Sequence, residues 1–178
     1  MPSADAAEPL FPLVIIGPMA AGKTKIGRRV ARVLELPFID TDKRIAVQNG
    51  PISEIFDREG EDYFRVLERE AVVEALAEEA VVSLGGGAVL HVGTQADLAE
   101  ASVVLLTVSA EAVQRRLSGS GRPLLDAESR SEATERWQRI LDERMPVYES
   151  LADVRFDTSS RPIAAIADDI VAWVRGRS

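Results

Sequence analysis

The chain has 178 residues, a formal net charge of -8, one histidine and no cysteine. That length suits one domain with a substantial core, and the acidic balance argues against nucleic acid as a main partner, because phosphate backbones select a basic face. Lack of cysteine excludes disulfides, thiolate metal sites and thiol nucleophiles, and the apolar run LFPLVIIG at 10–17 is far shorter than the roughly 20 residues that cross a bilayer. With no basic segment at the start, the expectation is a cytoplasmic protein without a membrane partner.

In chain order, residues 1–9 are small, polar or proline and read as a loose tail before a single domain, 10–178. LFPLVIIG reads as a buried strand, 23–34 as a helix, PFID at 37–40 as a second strand, ISEIF at 52–56 as a short helical segment, and 62–79 as a long amphipathic helix. VVSL at 81–84 and VVLLTV at 103–108 follow as strands, each with a helical stretch after it. DVRF at 153–156 is a fifth strand, and 163–174 a last helix with Ile163, Ile166, Ile170 and Val174 on one face. Apolar runs without alternation indicate strands covered on both faces, hence a five-stranded parallel sheet in a three-layer α/β/α domain. Between them, SGSGRPLLDAESRS at 118–131 reads as a long mobile loop. His91 reads as a polar loop residue, and Trp137 and Trp173 as core positions on amphipathic helices.

GPMAAGKT at 17–24 fits G-x-x-x-x-G-K-[ST] between a buried strand and a helix, which is where a phosphate-binding P-loop must sit. Its backbone N–H groups would wrap the phosphates of a nucleotide, making Gly17, Ala20, Ala21, Gly22, Lys23, Thr24 and Lys25 the ATP-binding set. Lys23 would reach the β- and γ-phosphates and Thr24 would ligate Mg2+. A GTPase reading fails: DREG at 57–60 follows a helical segment rather than a strand, and no N-K-x-D occurs.

In FIDTDKR at 38–44, Asp40 and Asp42 lie two apart at the end of an apolar run and, if the strand continues, face one place. They could form a metal site, divide two jobs or make a polar turn. SLGGGAV sets Gly85, Gly86 and Gly87 at the carboxyl end of a strand, where open α/β sheets bind ligands. YFRVLERE puts Arg65 and Glu68 three apart on a helix, so that the carboxylate can orient the guanidinium toward a ligand carboxylate. In DERMPVYESLADV, Arg144 precedes Pro146, where proline is expected to stop a helix. Arg122 lies in the mobile loop, positioned to neutralise a transferring phosphoryl group. Arg116 and Arg161-Pro162 could stack on an adenine or be surface groups.

These pieces together resemble the shikimate kinase family: GPMAAGKT, FIDTD, IFDREGEDYFR, SLGGGAV, RPLL and ERMPVYESLADV occur in that order over nearly the whole chain. The resemblance implies a P-loop kinase fold with a helical substrate-binding region at about 40–68 and a lid at about 118–131. It implies transfer of the γ-phosphoryl group of ATP to the 3-hydroxyl of shikimate, a step toward chorismate and aromatic amino acids, by a monomer using Mg2+. It assigns Asp42, Arg65, Arg144 and the glycines Gly85 to Gly87 to shikimate, with Asp42 as general base. It assigns Arg122 to the ATP phosphates, Arg116, Arg161 and Pro162 to the adenine, and Asp40 to the metal side with Thr24. Two rivals stand beside it: a kinase of another hydroxy acid or sugar such as gluconate or aminoshikimate, and an inactive nucleotide-binding regulatory module. The family usually has glycine where Ala20 stands and often a second hydroxyl residue at Lys25. If residue 20 needs positive φ, alanine adds strain of about 1 kcal/mol.

Overall fold

The wholly apolar run Leu13–Ile16 forms the central strand β1 of a five-stranded parallel sheet, every residue buried. In the computed structural model, residues 11–118 and 127–177 are described. The other strands are β2 (Phe38–Asp40), β3 (Val81–Ser83), β4 (Ser102–Thr107) and β5 (Val154–Asp157), in spatial order β2-β3-β1-β4-β5. Eight helices complete the described residues: α1 (Lys23–Leu34), α2 (Thr41–Asn49), α3 (Ile52–Glu59), α4 (Glu61–Leu76), α5 (Val92–Leu98), α6 (Ala110–Ser118), α7 (Ala127–Leu151) and α8 (Ile163–Gly176). The expected fold class is the observed one. β1 and β4 are buried at every position, as a sheet covered on both faces requires.

Two cores form. The larger joins the sheet to α1, α7 and α8 and includes Tyr148, Trp137, Ile166 and Ile170. A satellite of Ile45, Ile55, Phe64 and Ala71 holds α2, α3 and α4 together, with the Phe56 and Phe64 rings 4.7 Å apart. That helical unit follows the carboxyl end of β2, and its Asp42 lines the cleft.

Three expectations need correction. Asp42 is not on a strand with Asp40: β2 ends at Asp40, whose carboxylate caps α2 by accepting from the Lys43 N–H at 3.2 Å. Asp42 then occupies the first helical turn, where a negative charge complements the helix dipole. Pro146 does not stop α7, which runs on to Leu151. Pro146 and Asp142, whose carbonyl loses its helical partner, are both exposed, so water can take the lost bond. Finally, residues 127–131 belong to α7 rather than to a loop. Residue 118 ends α6, and the remainder of the expected lid, 119–126 with Arg122, and the 1–9 tail lie outside the described residues.

Candidate active site

At the carboxyl end of the sheet, the loop between β1 and α1 borders a cleft of about 680 Å³ lined by Ala20 to Ile26, Asp40, Asp42, Arg116, Thr158 and Arg161 among others. Gly17 has φ 142, and a Cβ there would stand 2.3 Å from the Leu106 carbonyl oxygen, so this position admits no side chain. Ala20 has φ 65, the left-handed conformation that costs an alanine about 1 kcal/mol. Each carbonyl from Gly17 to Ala20 accepts a side-chain hydrogen bond, and Ala21 O shares the one Thr158 hydroxyl proton with Thr107 O. Lys23 Nζ donates to Gly17 O at 2.8 Å and Pro18 O at 3.0 Å, and Trp137 Nε1 donates to Met19 O at 2.9 Å. Arg116 donates to Ala20 O and also to Thr158 O, and Thr158 Oγ1 lies 2.9 Å from Ala21 O.

Burial lowers the Lys23 ammonium to about 8; Asp42 and Asp40 oppose that shift, and Arg144 adds to it. Thr24 Oγ1 donates to Asp40 Oδ2 at 2.7 Å. With its proton committed, the hydroxyl oxygen is left as an acceptor beside a carboxylate, a donor set that suits a hard cation keeping most of its waters. Among the described residues no group of three or more His, Asp or Glu could by itself hold such an ion.

Beside the loop, after β3, the three glycines each leave room for one charged side chain. A Cβ on Gly85 would lie 2.5 Å from Asp42 Oδ1, on Gly86 3.2 Å from Arg144 Nη1, and on Gly87 2.7 Å from Arg65 Nη1. Asp42, Arg144 and Arg65, from α2, α7 and α4, thus converge on one turn. Glu68, only 4% exposed, accepts from Arg65 Nη1 at 2.7 Å, and Glu61 from Arg65 Nη2 at 3.1 Å. Burial pulls the Arg65 guanidinium down, but these two carboxylates outweigh it and its pKa is raised. Burial, with Asp40 and Glu68 nearby, raises the Asp42 carboxyl above the usual range against the pull of Lys23 and Arg65. A second cavity of about 220 Å³ opens behind Arg65, Glu68 and Gly87.

The structure therefore brings together Asp40, Asp42, Lys23, Thr24, Arg65, Arg144 and the glycine turn. Lys25 is exposed at the rim. Arg161 lines the cleft but is ion-paired to Asp169 at 2.7 Å, and Pro162 caps α8. His91 is an exposed cap of α5, accepting from the Gly93 N–H. Sequence reading missed the groups that set these atoms in place. Thr41 Oγ1 accepts from the Gly85 N–H at 3.1 Å, fixing the glycine turn to α2. Tyr148, fully buried, donates from its hydroxyl to Gly86 O at 2.6 Å and also bonds Arg144, one turn before it on α7. Burial, with Arg144 opposing, raises the Tyr148 hydroxyl above its ordinary value. The i, i+4 spacing of Arg144 and Tyr148 was a usable signal had α7 been read through Pro146.

A family profile described as Shikimate kinase matches residues 19–175. The chain belongs to the shikimate kinase family. It is 43% identical to the shikimate kinase of Mycobacterium avium over 89% of this chain and 90% of that one. It is 46% identical to that of Thermobifida fusca over 82% and 84%. Among solved structures, shikimate kinase from Acinetobacter baumannii in complex with shikimate superposes with a TM-score of 0.81 at 30% identity, covering 93% of each chain. A gluconokinase from Sinorhizobium meliloti, at 21% identity and a TM-score of 0.62, shares the fold alone. Family membership makes the chain an ATP-dependent kinase.

Proposed function

We propose that the chain works as a shikimate kinase, transferring the γ-phosphoryl group of ATP to the 3-hydroxyl of shikimate to give 3-phosphoshikimate and ADP. The observation that carries the residue assignment is the convergence of Asp42, Arg144 and Arg65 on Gly85, Gly86 and Gly87 beside the P-loop. Two guanidiniums and one carboxylate at a turn without side chains suit a small acceptor that carries one carboxylate and reacts through a hydroxyl.

In this reading Arg65, pre-aligned by Glu68, and Arg144, held by Tyr148, grip the acceptor carboxylate. Asp42 accepts a hydrogen bond from the attacking hydroxyl and takes its proton as the phosphoryl group transfers; burial raises its proton affinity toward that task. Lys23 exchanges its two loop carbonyls for phosphate oxygens, and the loop N–H groups surround the phosphates. Mg2+ would be held by Thr24 and, through water, Asp40, and would supply charge neutralisation on the transferred group. Arg116 is bonded through its guanidinium edge, leaving a flat face of an exposed side chain for the adenine, with Arg161 also lining the cleft and Pro162 next to it in the chain. Arg122 is assigned to the phosphates by family resemblance.

The reading is of a cytoplasmic monomer, and among the described residues no helix is long and apolar enough to cross a membrane. The decisive assay is ADP release with shikimate, quinate, gluconate and aminoshikimate side by side. Shikimate should give the highest kcat/KM by a wide margin. Preference for gluconate would move the chain to another acceptor, and ATP binding without turnover on any would leave a binding module.

A further inference from the structure

Of the four loop carbonyls from Gly17 to Ala20 tied by side chains, two are bonded to Lys23, which a bound phosphate would draw away. The next two are bonded by groups from elements far along the chain: Met19 by Trp137 and Ala20 by Arg116. Met19 is 71% exposed, so its own side chain gives the peptide no packing support, whereas Trp137 is only 8% exposed and anchored in the main core.

The consequence falls on Ala20. A peptide group is planar and trans, so its C=O and N–H point in opposite directions. Holding Met19 O toward α7 turns the Ala20 N–H away from α7, and Ala20 lines the nucleotide cleft. The peptide after Ala20 is held in turn by Arg116. Both peptides flanking Ala20 are clamped, and the rotation between them is fixed at φ 65, a value that carries a steric cost for alanine and none for glycine.

We propose that Trp137 is a positioning residue for the nucleotide phosphates, its indole N–H holding the Met19–Ala20 peptide so that an alanine stays left-handed in the P-loop. This rests on the loop binding ATP, as above. It predicts that residues 137 and 20 are energetically coupled although they do not share an element.

The test replaces Trp137 with β-(3-benzothienyl)alanine, which keeps the ring shape and deletes the N–H, and in parallel with phenylalanine. Binding of Mg·ADP is measured by calorimetry, and KM for ATP and shikimate by steady-state assay. The expected result is about a tenfold weaker Mg·ADP Kd and ATP KM in both, the scale of one lost hydrogen bond. Shikimate KM and kcat should stay within about twofold, the signature of lost nucleotide binding alone. Adding Ala20→Gly to Trp137→Phe should recover part of the loss, because glycine adopts positive φ without the steric cost that alanine bears there. An unchanged Kd in the benzothienyl variant overturns the proposal. So does a parallel loss in both KM values and kcat that Ala20→Gly does not recover, which would mark Trp137 as general support. If the unaltered protein binds no Mg·ADP, the kinase reading itself fails before any variant is made.

Discussion

The two walls of the cleft reach their geometry by opposite means. On the wall proposed for the nucleotide, the backbone is set by side chains that tie back the loop carbonyls from Gly17 to Ala20. On the acceptor wall the groups are charged side chains from α2, α4 and α7, and the backbone contributes room, because Gly85, Gly86 and Gly87 have no Cβ. A backbone cradle accepts any triphosphate and discriminates little, whereas side-chain charges at fixed positions read a particular acceptor. Damage to the first wall should therefore appear in nucleotide binding and damage to the second in acceptor KM or in the chemical step.

The sharpest separation is expected from Asp42→Asn. It should lower kcat by about 10²- to 10⁴-fold, the usual worth of a general base, with the Mg·ADP Kd retained in calorimetry. The same variant should melt at a higher temperature than the parent at pH 7. The folded-state pKa of Asp42 is raised, so the folded protein binds its proton more tightly than the unfolded chain, and stability is lost as pH rises through that window. The advantage of asparagine should vanish below the ordinary carboxylate range, where both states are protonated. Near-normal kcat would remove Asp42 from the base role.

Arg144→Ala comes next. Loss of one partner of a partly buried ligand charge pair costs roughly 2 to 5 kcal/mol, read as a steep rise in shikimate KM. An unchanged KM would place the acceptor carboxylate elsewhere. Gly87→Ala is a milder probe of the same wall: its Cβ would stand 2.7 Å from Arg65 Nη1, the far end of a side chain that can retreat. Acceptor KM should rise about tenfold, near 1.4 kcal/mol, with ATP KM unmoved. A change in ATP KM instead would show that the two neighbouring groups of residues act together, as the approach of Gly86 to Gly17 O would permit.

The smallest effect is a proton count. Lys23 sits near 8 in the free protein, and a bound phosphate should restore its charge. Nucleotide binding at pH 8 should then take up about half a proton, visible as a dependence of the calorimetric enthalpy on buffer ionisation, and almost none at pH 6.5. Lys23→Met should abolish the uptake together with binding. In the absence of nucleotide, stability should rise with pH between about 8 and 10.5, because the unfolded chain holds the Lys23 proton over that range and the folded one releases it.

Much of this was readable from local pattern. Unbroken apolar runs marked the buried strands, the alternating DVRF marked the edge strand, and G-x-x-x-x-G-K-T after the first strand located the phosphate loop, because these signals depend on residues adjacent in the chain. The condition stated for Ala20 holds, since its φ is positive, but the bonds that clamp the peptides on either side of it come from Trp137 and Arg116, far along the chain. Reading Asp40 and Asp42 as strand neighbours went astray because a cap and a strand end look alike over three residues. The Asp-Thr-Asp-Lys order, with a capping carboxylate and an acidic first turn, was the overlooked helix signal.

What tertiary structure alone decided is which distant donor meets which carbonyl and which guanidinium meets which glycine. Trp137 reaches Met19 across 118 residues, and Tyr148 reaches Gly86 across 62. Such bonds follow from how α7 lies against the sheet, a result of summed, non-directional apolar burial that no local spacing encodes.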